Sequence, residues 1–196
     1  MARERAIAWL PNELERRVVQ DWSPSAEPQI PILGEVRGKI VVLQNFDAAQ
    51  IYGLAWKNLD IQDDYNLTSN WGLYDKWTSV KNQLNKANIS SKKQIVVNFL
   101  SGSGGSFPYF VASGKSSPQT HAPRLLTGRT TPGWHSYPDF PRVGCRIGIC
   151  SIAFEGTNNL VTAELAKEKL KFTGIVMIDF PGAGLISRII KLNQVQ

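Results

Sequence analysis

Cysteine and histidine are scarce in this sequence of 196 residues, which narrows the chemistry open to it. The two cysteines are Cys145 and Cys150, and the two histidines are His121 and His135. Two cysteines cannot form the paired motifs of a structural zinc site, so we predict no metal and no cofactor. Because the cysteines are five positions apart within one apolar segment, a single strand would point them to opposite faces and leave both thiols reduced.

Long apolar runs are also missing. None approaches the roughly 20 residues that cross a bilayer as a helix. The first 19 residues carry charges but neither the apolar core nor the small-residue cleavage site that is typical of a signal peptide. Glycosylation triplets beginning at Asn66 and Asn88 would matter only in an exported protein. These features leave the compartment undetermined.

Charge of one sign is not strongly dominant. The chain has 22 basic and 16 acidic residues, a net charge of +6. No run of lysine and arginine is typical of a nucleic-acid arm, so we predict no nucleic-acid partner. The basic excess is compatible with an anionic lipid surface and equally with an ordinary solvated surface. With 42% hydrophobic residues the composition is that of a globular protein with a sizeable core.

Apolar strands alternate with helices or long connections along most of the chain. Residues 1–29 are predicted to form a short helix and a proline-broken linker, followed by one domain over residues 30–196. Predicted strands cover residues 39–43, 59–65, 94–100, 142–154 and 174–179, and predicted helices cover 12–20, 72–87, 158–171 and 183–193. A polar, proline-rich loop spans 113–142. The alternation predicts an α/β fold with a largely parallel sheet.

The segment 72–87 has a clear helical pattern. Four apolar residues recur at helical spacing and predict a buried face: Leu73, Trp77, Val80 and Leu84. Four charged residues are predicted to face outward: Asp75, Lys76, Lys81 and Lys86. Trp77 is therefore interpreted as a core residue.

Polar residues stand at the carboxyl ends of the predicted strands: Asn45, Asp63, Asn98 and Asp179. In a barrel of parallel strands, active sites lie at that rim. A complete barrel of eight strand–helix units needs about 250 residues, and this chain has roughly half of those units.

Five long motifs, in order along the chain, carry a family resemblance: "LGEVRGKIVVLQNF", "WKNLDIQDDYN", "YDKWTSVKNQLNKA", "VNFLSGSGGSFPYFVASG" and "GIVMIDFPGAGLISRIIKLN". From about Ile30 to Asn193 the chain resembles the second half of the phosphatidylinositol-specific phospholipase C family, of the bacterial and fungal secreted type. The resemblance implies a partial TIM (β/α) barrel of the PLC-like phosphodiesterase type, second half only.

The resemblance also implies a chemistry. The family cleaves the phosphodiester of phosphatidylinositol, with one histidine as general base, a second as general acid and an arginine that stabilises phosphoryl charge. Asp179 matches the carboxylate that orients the base histidine. Asp63 and Tyr65 match residues that contact the inositol ring by hydrogen bonds and by stacking, respectively. Asn45 stands where some bacterial members have an inositol-binding arginine.

A rim loop completes the implied site. The glycine loop of residues 101–106, with Phe107 and Tyr109, matches a mobile loop whose aromatic residues touch the membrane. The alternative for both rings is ordinary core packing. The expected partners are phosphatidylinositol or its inositol head group, with peripheral membrane contact.

The motifs that carry the family's two catalytic histidines and its phosphate-binding arginine do not occur in this sequence, and His121 and His135 match neither position. We therefore expect the chain to be inactive alone. Three hypotheses remain: an enzyme half that a complementing half or self-association completes, a non-catalytic module that binds inositol lipid or a membrane surface, and a truncated product. The family is usually secreted, whereas no signal peptide is predicted here.

Overall fold

The computed structural model describes residues 31, 34–49, 53–90, 94–118, 122–132 and 139–193. The predicted helix at 12–20, the linker and both histidines lie outside the described residues. The chain divides into two compact units, residues 1–60 with 91–95 and residues 61–90 with 96–196.

The first unit contains a pair of short parallel strands. Strand β1, Leu43–Gln44, pairs with β2, Leu54–Ala55, and a 3₁₀ helix, Trp56–Asn58, follows. The strand predicted at 39–43 is therefore shorter: it begins four residues later and ends one residue later. The backbone N–H of Leu54 donates to the carbonyl of Val42 at 2.9 Å, which is one of the bonds of this parallel pairing.

The second unit is built around apolar strands and four described helices. Its strands are β3 Asp60–Gln62, which begins where the first unit ends, β4 Asn66–Leu67, β5 Val96–Phe99, β6 Ser103–Gly104, β7 Leu126–Pro132, β8 Arg142–Arg146, β9 Ile149–Ala153 and β10 Ile175–Met177. Its α-helices are α1 Leu73–Ile89, α2 Pro108–Ser113, α3 Thr157–Ala166 and α4 Ala183–Leu192. No helix in the described part of the chain has the length and apolar character to cross a membrane.

The described residues of this unit form three separate sheets. The central sheet has the order β10–β5–β3, and β10 runs parallel to β5 with Ile175 opposite Val97 and Met177 opposite Phe99. Strands β4 and β6 form a parallel pair, and β7–β9–β8 is antiparallel. The mixed helix and strand content agrees with the α/β prediction, and the described residues form no closed barrel.

Helix α1 buries the face that its spacing predicted. Leu73, Trp77, Val80 and Leu84 are all at most 3% exposed and form one core with Leu160 and Val161 of α3. Helix α3 is shorter than predicted. It ends at Ala166, and Glu168 adopts a left-handed backbone conformation with a φ of +54°.

The segment 142–154 is a hairpin and not one strand, which corrects the prediction. Strands β8 and β9 turn at Ile147 and Gly148, with Arg146 opposite Ile149. This register places Cys145 across from Cys150, their Cα atoms are 4.0 Å apart, and they form a disulfide. The expectation of two reduced thiols on opposite faces is therefore wrong, because it assumed a strand that does not reverse.

The predicted loop 113–142 also contains a strand. Residues Leu126–Pro132 form β7, which pairs antiparallel with β9. Its proline and polar residues are typical of an edge strand, which needs only one row of backbone hydrogen bonds. Pairing with a strand about 20 residues away in sequence is not visible in local composition.

Candidate functional site

The ends of the central strands bring two of the predicted site residues to one edge of the sheet. Asp63 directly follows β3, and Asp179 follows β10 by two positions. Strand β5 lies between them, and Gln62, the last residue of β3, contacts Phe99 at the end of β5. Strands two apart in a sheet are roughly 10 Å from each other. Both carboxylates therefore lie on the same edge.

A buried polar network holds this edge together. The Gln62 amide donates to Asn98 Oδ1 at 2.8 Å and to the Phe99 carbonyl at 2.9 Å. Lys76 Nζ donates to the Phe99 carbonyl at 2.7 Å and to Gln62 Oε1 at 3.3 Å. Asn98 Nδ2 donates to the Val80 carbonyl of α1 at 2.9 Å. The network joins the ends of β3 and β5 to helix α1.

Lys76 is buried, which corrects its predicted outward position. Its side chain is 1% exposed, and burial lowers its pKa from the ordinary 10.5 to about 8 against the opposing charges of Asp64 and Asp63. Lys76 is three residues after Leu73 and four residues before Val80. It therefore lies on the same face of the helix as these two buried residues. A lysine is tolerated at this buried position because the Phe99 carbonyl and Gln62 Oε1 accept hydrogen bonds from its ammonium group.

The pH dependence of stability should reveal this lysine. The unfolded chain holds the Lys76 proton up to about pH 10.5, whereas the folded chain releases it near pH 8. Below pH 8 both states are protonated and Lys76 adds no slope. Between these values the free energy of unfolding should rise with pH, by at most roughly 3 kcal/mol.

We expect Lys76→Met to abolish that rise without lowering stability at pH 7. The Phe99 carbonyl would keep the Gln62 amide as donor, and Gln62 Oε1 would keep the Asp64 N–H at 2.7 Å. Urea denaturation from pH 7 to 10 measures the effect, with Lys86→Met on the exposed side of α1 as the control. The same rise in both variants would contradict this role.

The segment after β3 presents its side chains to solvent. Asp63 is exposed and Tyr65 is 57% exposed. The backbone beneath them is held, because Asp64 accepts a hydrogen bond from the Ser79 hydroxyl at 3.1 Å and the Tyr65 carbonyl accepts one from the Ser103 N–H at 2.8 Å. Two predicted head-group residues are thus accessible on a fixed backbone.

The backbone of Asp179 is fixed while its carboxylate has no described partner. The Asn158 amide of α3 donates to the carbonyl of Asp179 at 2.8 Å and to that of Phe180 at 3.2 Å. Phe180 has a φ of +49°, which turns the chain sharply after the strand. The half-buried Asp179 side chain makes no hydrogen bond or ion pair with the residues that the structure describes.

Aromatic side chains border this edge. Phe107, directly before α2, is 82% exposed. Tyr109 is half-buried and meets the ring of Phe180 edge-on at 5.5 Å, and Phe180 is itself 57% exposed. Phe180 was not among the predicted rim residues, although its position directly behind Asp179 was the available signal. Tyr109 therefore supports an exposed aromatic residue and is itself partly packed.

The glycine loop packs closely on the segment after β4. A Cβ on Gly105 would lie 1.9 Å from the Thr68 carbonyl, so only glycine fits there. The Ser106 hydroxyl donates to Asn70 Oδ1 at 2.9 Å and fixes the loop end. A cavity of about 360 Å³ lies between α2, α3 and the start of α4.

Asn45 belongs to the first unit, where it is exposed after β1. Its assignment to the head-group site stays a prediction. Within the described residues no group of three or more histidine, cysteine, aspartate or glutamate side chains could hold a metal ion.

Comparison with known proteins supports the fold alone. No family model matches the chain, and no curated protein matches it. A solved structure, the phosphatidylinositol-specific phospholipase C from Listeria monocytogenes, is similar with a TM-score of 0.51 and 23% sequence identity. The match covers 84% of this chain and 48% of the Listeria chain, so it spans about half of that enzyme's length. The described fold is therefore similar to about half of a phosphatidylinositol-specific phospholipase C.

Proposed function

We propose that this chain is a phosphodiesterase-like protein of the phosphatidylinositol-specific phospholipase C type that binds an inositol phospholipid head group but does not cleave it alone. The observation that carries the proposal is the placement of Asp63 and Asp179 on one strand edge of a fold similar to the Listeria enzyme. The resemblance of the sequence motifs supports the same conclusion independently.

The exposed residues of this edge suit a polyol. The Asp63 carboxylate accepts hydrogen bonds from ring hydroxyls, and such charge-assisted bonds are stronger than neutral ones. The Tyr65 ring offers an apolar face to the inositol ring. Asp179 is proposed to orient the base histidine of the family. The motif that carries this histidine does not occur in this sequence.

The second candidate function is a non-catalytic module for a membrane surface. The exposure of Phe107 and Phe180 at the same edge favours it, since aromatic rings suit the lipid–water interface. Both candidates predict lipid contact, and only the first predicts dependence on Asp63 and Tyr65. A complementing half or a second copy is proposed as the protein partner, because β10 is an edge strand of the described sheet.

Asp63→Ala should weaken inositol binding about tenfold or more, because a charge-assisted hydrogen bond is worth about 1.5–3 kcal/mol. Isothermal titration of the chain with inositol 1-phosphate measures the loss. Asp75→Ala on the exposed side of α1 removes the same charge elsewhere and should change nothing. Equal affinity of the wild type and Asp63→Ala would remove this residue from the site.

A further inference from the structure

The turn between β8 and β9 has an unusual residue at its tip. Ile147 and Gly148 connect the strands, and both have positive φ, +48° and +75°. A two-residue hairpin turn with positive φ at both positions is of type I′, which favours Asn-Gly, Asp-Gly or Gly-Gly. A β-branched residue with positive φ is a genuine outlier, because its Cβ crowds the backbone. Ile147 therefore makes this turn harder to form.

Packing does not explain the isoleucine. Ile147 is 102% exposed and Ile149, the next residue after the glycine, is 51% exposed. Apolar side chains with this much exposure contribute little to the hydrophobic core. The fold thus presents two large apolar side chains to solvent on a turn that asparagine would form more readily. Such strain at an exposed position points to a function.

A disulfide closes the turn directly beneath the tip. Cys145 and Cys150 are cross-strand neighbours with Cα atoms 4.0 Å apart, and Cys150 is buried. The closed hexapeptide, "CRIGIC", holds Ile147 in its strained position and limits the freedom that the tip would lose on binding. The hairpin tip is therefore pre-organised.

The charge beside the tip indicates the partner. Arg146 is exposed and adjacent to Ile147, and the whole chain has a net charge of +6. An apolar side chain with a guanidinium at its base matches a surface with acyl chains below and phosphates above. We propose that this disulfide-closed tip, residues 145–150, is a lipid anchor that inserts Ile147 and Ile149 into an anionic phospholipid surface.

The hairpin lies within the long connection between β5 and α3. The Thr157 hydroxyl at the end of that connection donates to the Leu100 carbonyl at its start, at 3.0 Å. Strand β9 extends about 14 Å from Ala153 to Ile149. The proposal that the tip binds lipid does not depend on the inositol site. A role of the tip in presenting inositol lipid to the strand edge of Asp63 and Asp179 rests on the function proposed above.

The substitution Ile147→Asn should weaken lipid binding without lowering the stability of the fold. Asparagine is favoured at this turn position, so the thermal midpoint should stay equal or rise. Co-sedimentation of the full chain with vesicles of phosphatidylglycerol and phosphatidylcholine should show about tenfold weaker partitioning, because the variant lacks the apolar side chain that inserts into the lipid. Ile89→Asn, at an isoleucine that is 84% exposed at the end of α1, is the matched control and should bind as the wild type does.

The vesicles contain no phosphatidylinositol, so failure of the inositol site and failure of the anchor are distinguishable. Absence of vesicle binding by the wild type, or equal binding by Ile147→Asn, would overturn the proposal. If Ile147→Asn instead abolished a dimer seen by light scattering and left vesicle binding intact, the tip would contact a second copy and the lipid anchor would be wrong.

Discussion

Phosphatidylinositol incubated with this chain alone should remain uncleaved. The sequence contains none of the motifs for the general base, the general acid and the phosphate arginine of the family that it resembles. Loss of each acid–base group typically costs about 10² to 10⁴-fold in rate. Release of cyclic inositol phosphate from pure protein measures the residual activity. Release at a rate typical of the family would point to His121 or His135, which alanine substitution would then test.

Addition of a polypeptide with the family's first half should restore cleavage if the proposed function is correct. That half would bring a histidine to Asp179, whose backbone is already held by Asn158. Asp179→Asn should then lower the restored turnover by about 10² to 10⁴-fold, because the imidazolium that forms during proton transfer loses its partner. Association of the halves, followed by light scattering, should not change. Equal turnover with both chains would exclude Asp179, and no restored turnover with stable association would favour the binding module.

Trp77→Ala should be the most destabilising single substitution on α1. The ring is 3% exposed, and its Nε1–H donates to Asp139 Oδ2 at 2.8 Å. Burial alone would raise the pKa of Asp139, but hydrogen bonds from Lys81 and Trp77 lower it below its usual range. Removal of the indole creates a cavity and deprives this carboxylate of a donor, so we expect a loss of about 3–5 kcal/mol.

Trp77→Phe separates the two contributions. Phenylalanine keeps most of the buried ring but cannot donate to Asp139, and the cost should fall to about 1–2 kcal/mol. Urea denaturation measures both variants, with Trp71→Ala as control at a tryptophan that is 42% exposed. A loss in Trp77→Ala no larger than in the control would contradict the core assignment of Trp77.

Elements with a local signal could be predicted from the amino-acid pattern. The spacing of Leu73, Trp77, Val80 and Leu84 predicted α1 and its buried face, since helical periodicity depends only on neighbours within a few residues. The same holds for α4 and for the apolar strand at Val96–Phe99. The polar residues at strand ends were also visible, and two of them, Asp63 and Asp179, lie on one sheet edge.

Features that depend on contacts between distant parts of the chain could not be predicted in this way. The disulfide follows from the register of β8 against β9, and the turn residues Ile147 and Gly148 do not match the Asn-Gly or Asp-Gly pair that signals a hairpin. The burial of Lys76 depends on oxygens from β3 and β5, which lie 14 and 23 residues away in sequence. The edge-on contact between Tyr109 and Phe180 also joins residues 71 positions apart in sequence. Such contacts are set by which strands become neighbours, and short-range periodicity does not encode that choice.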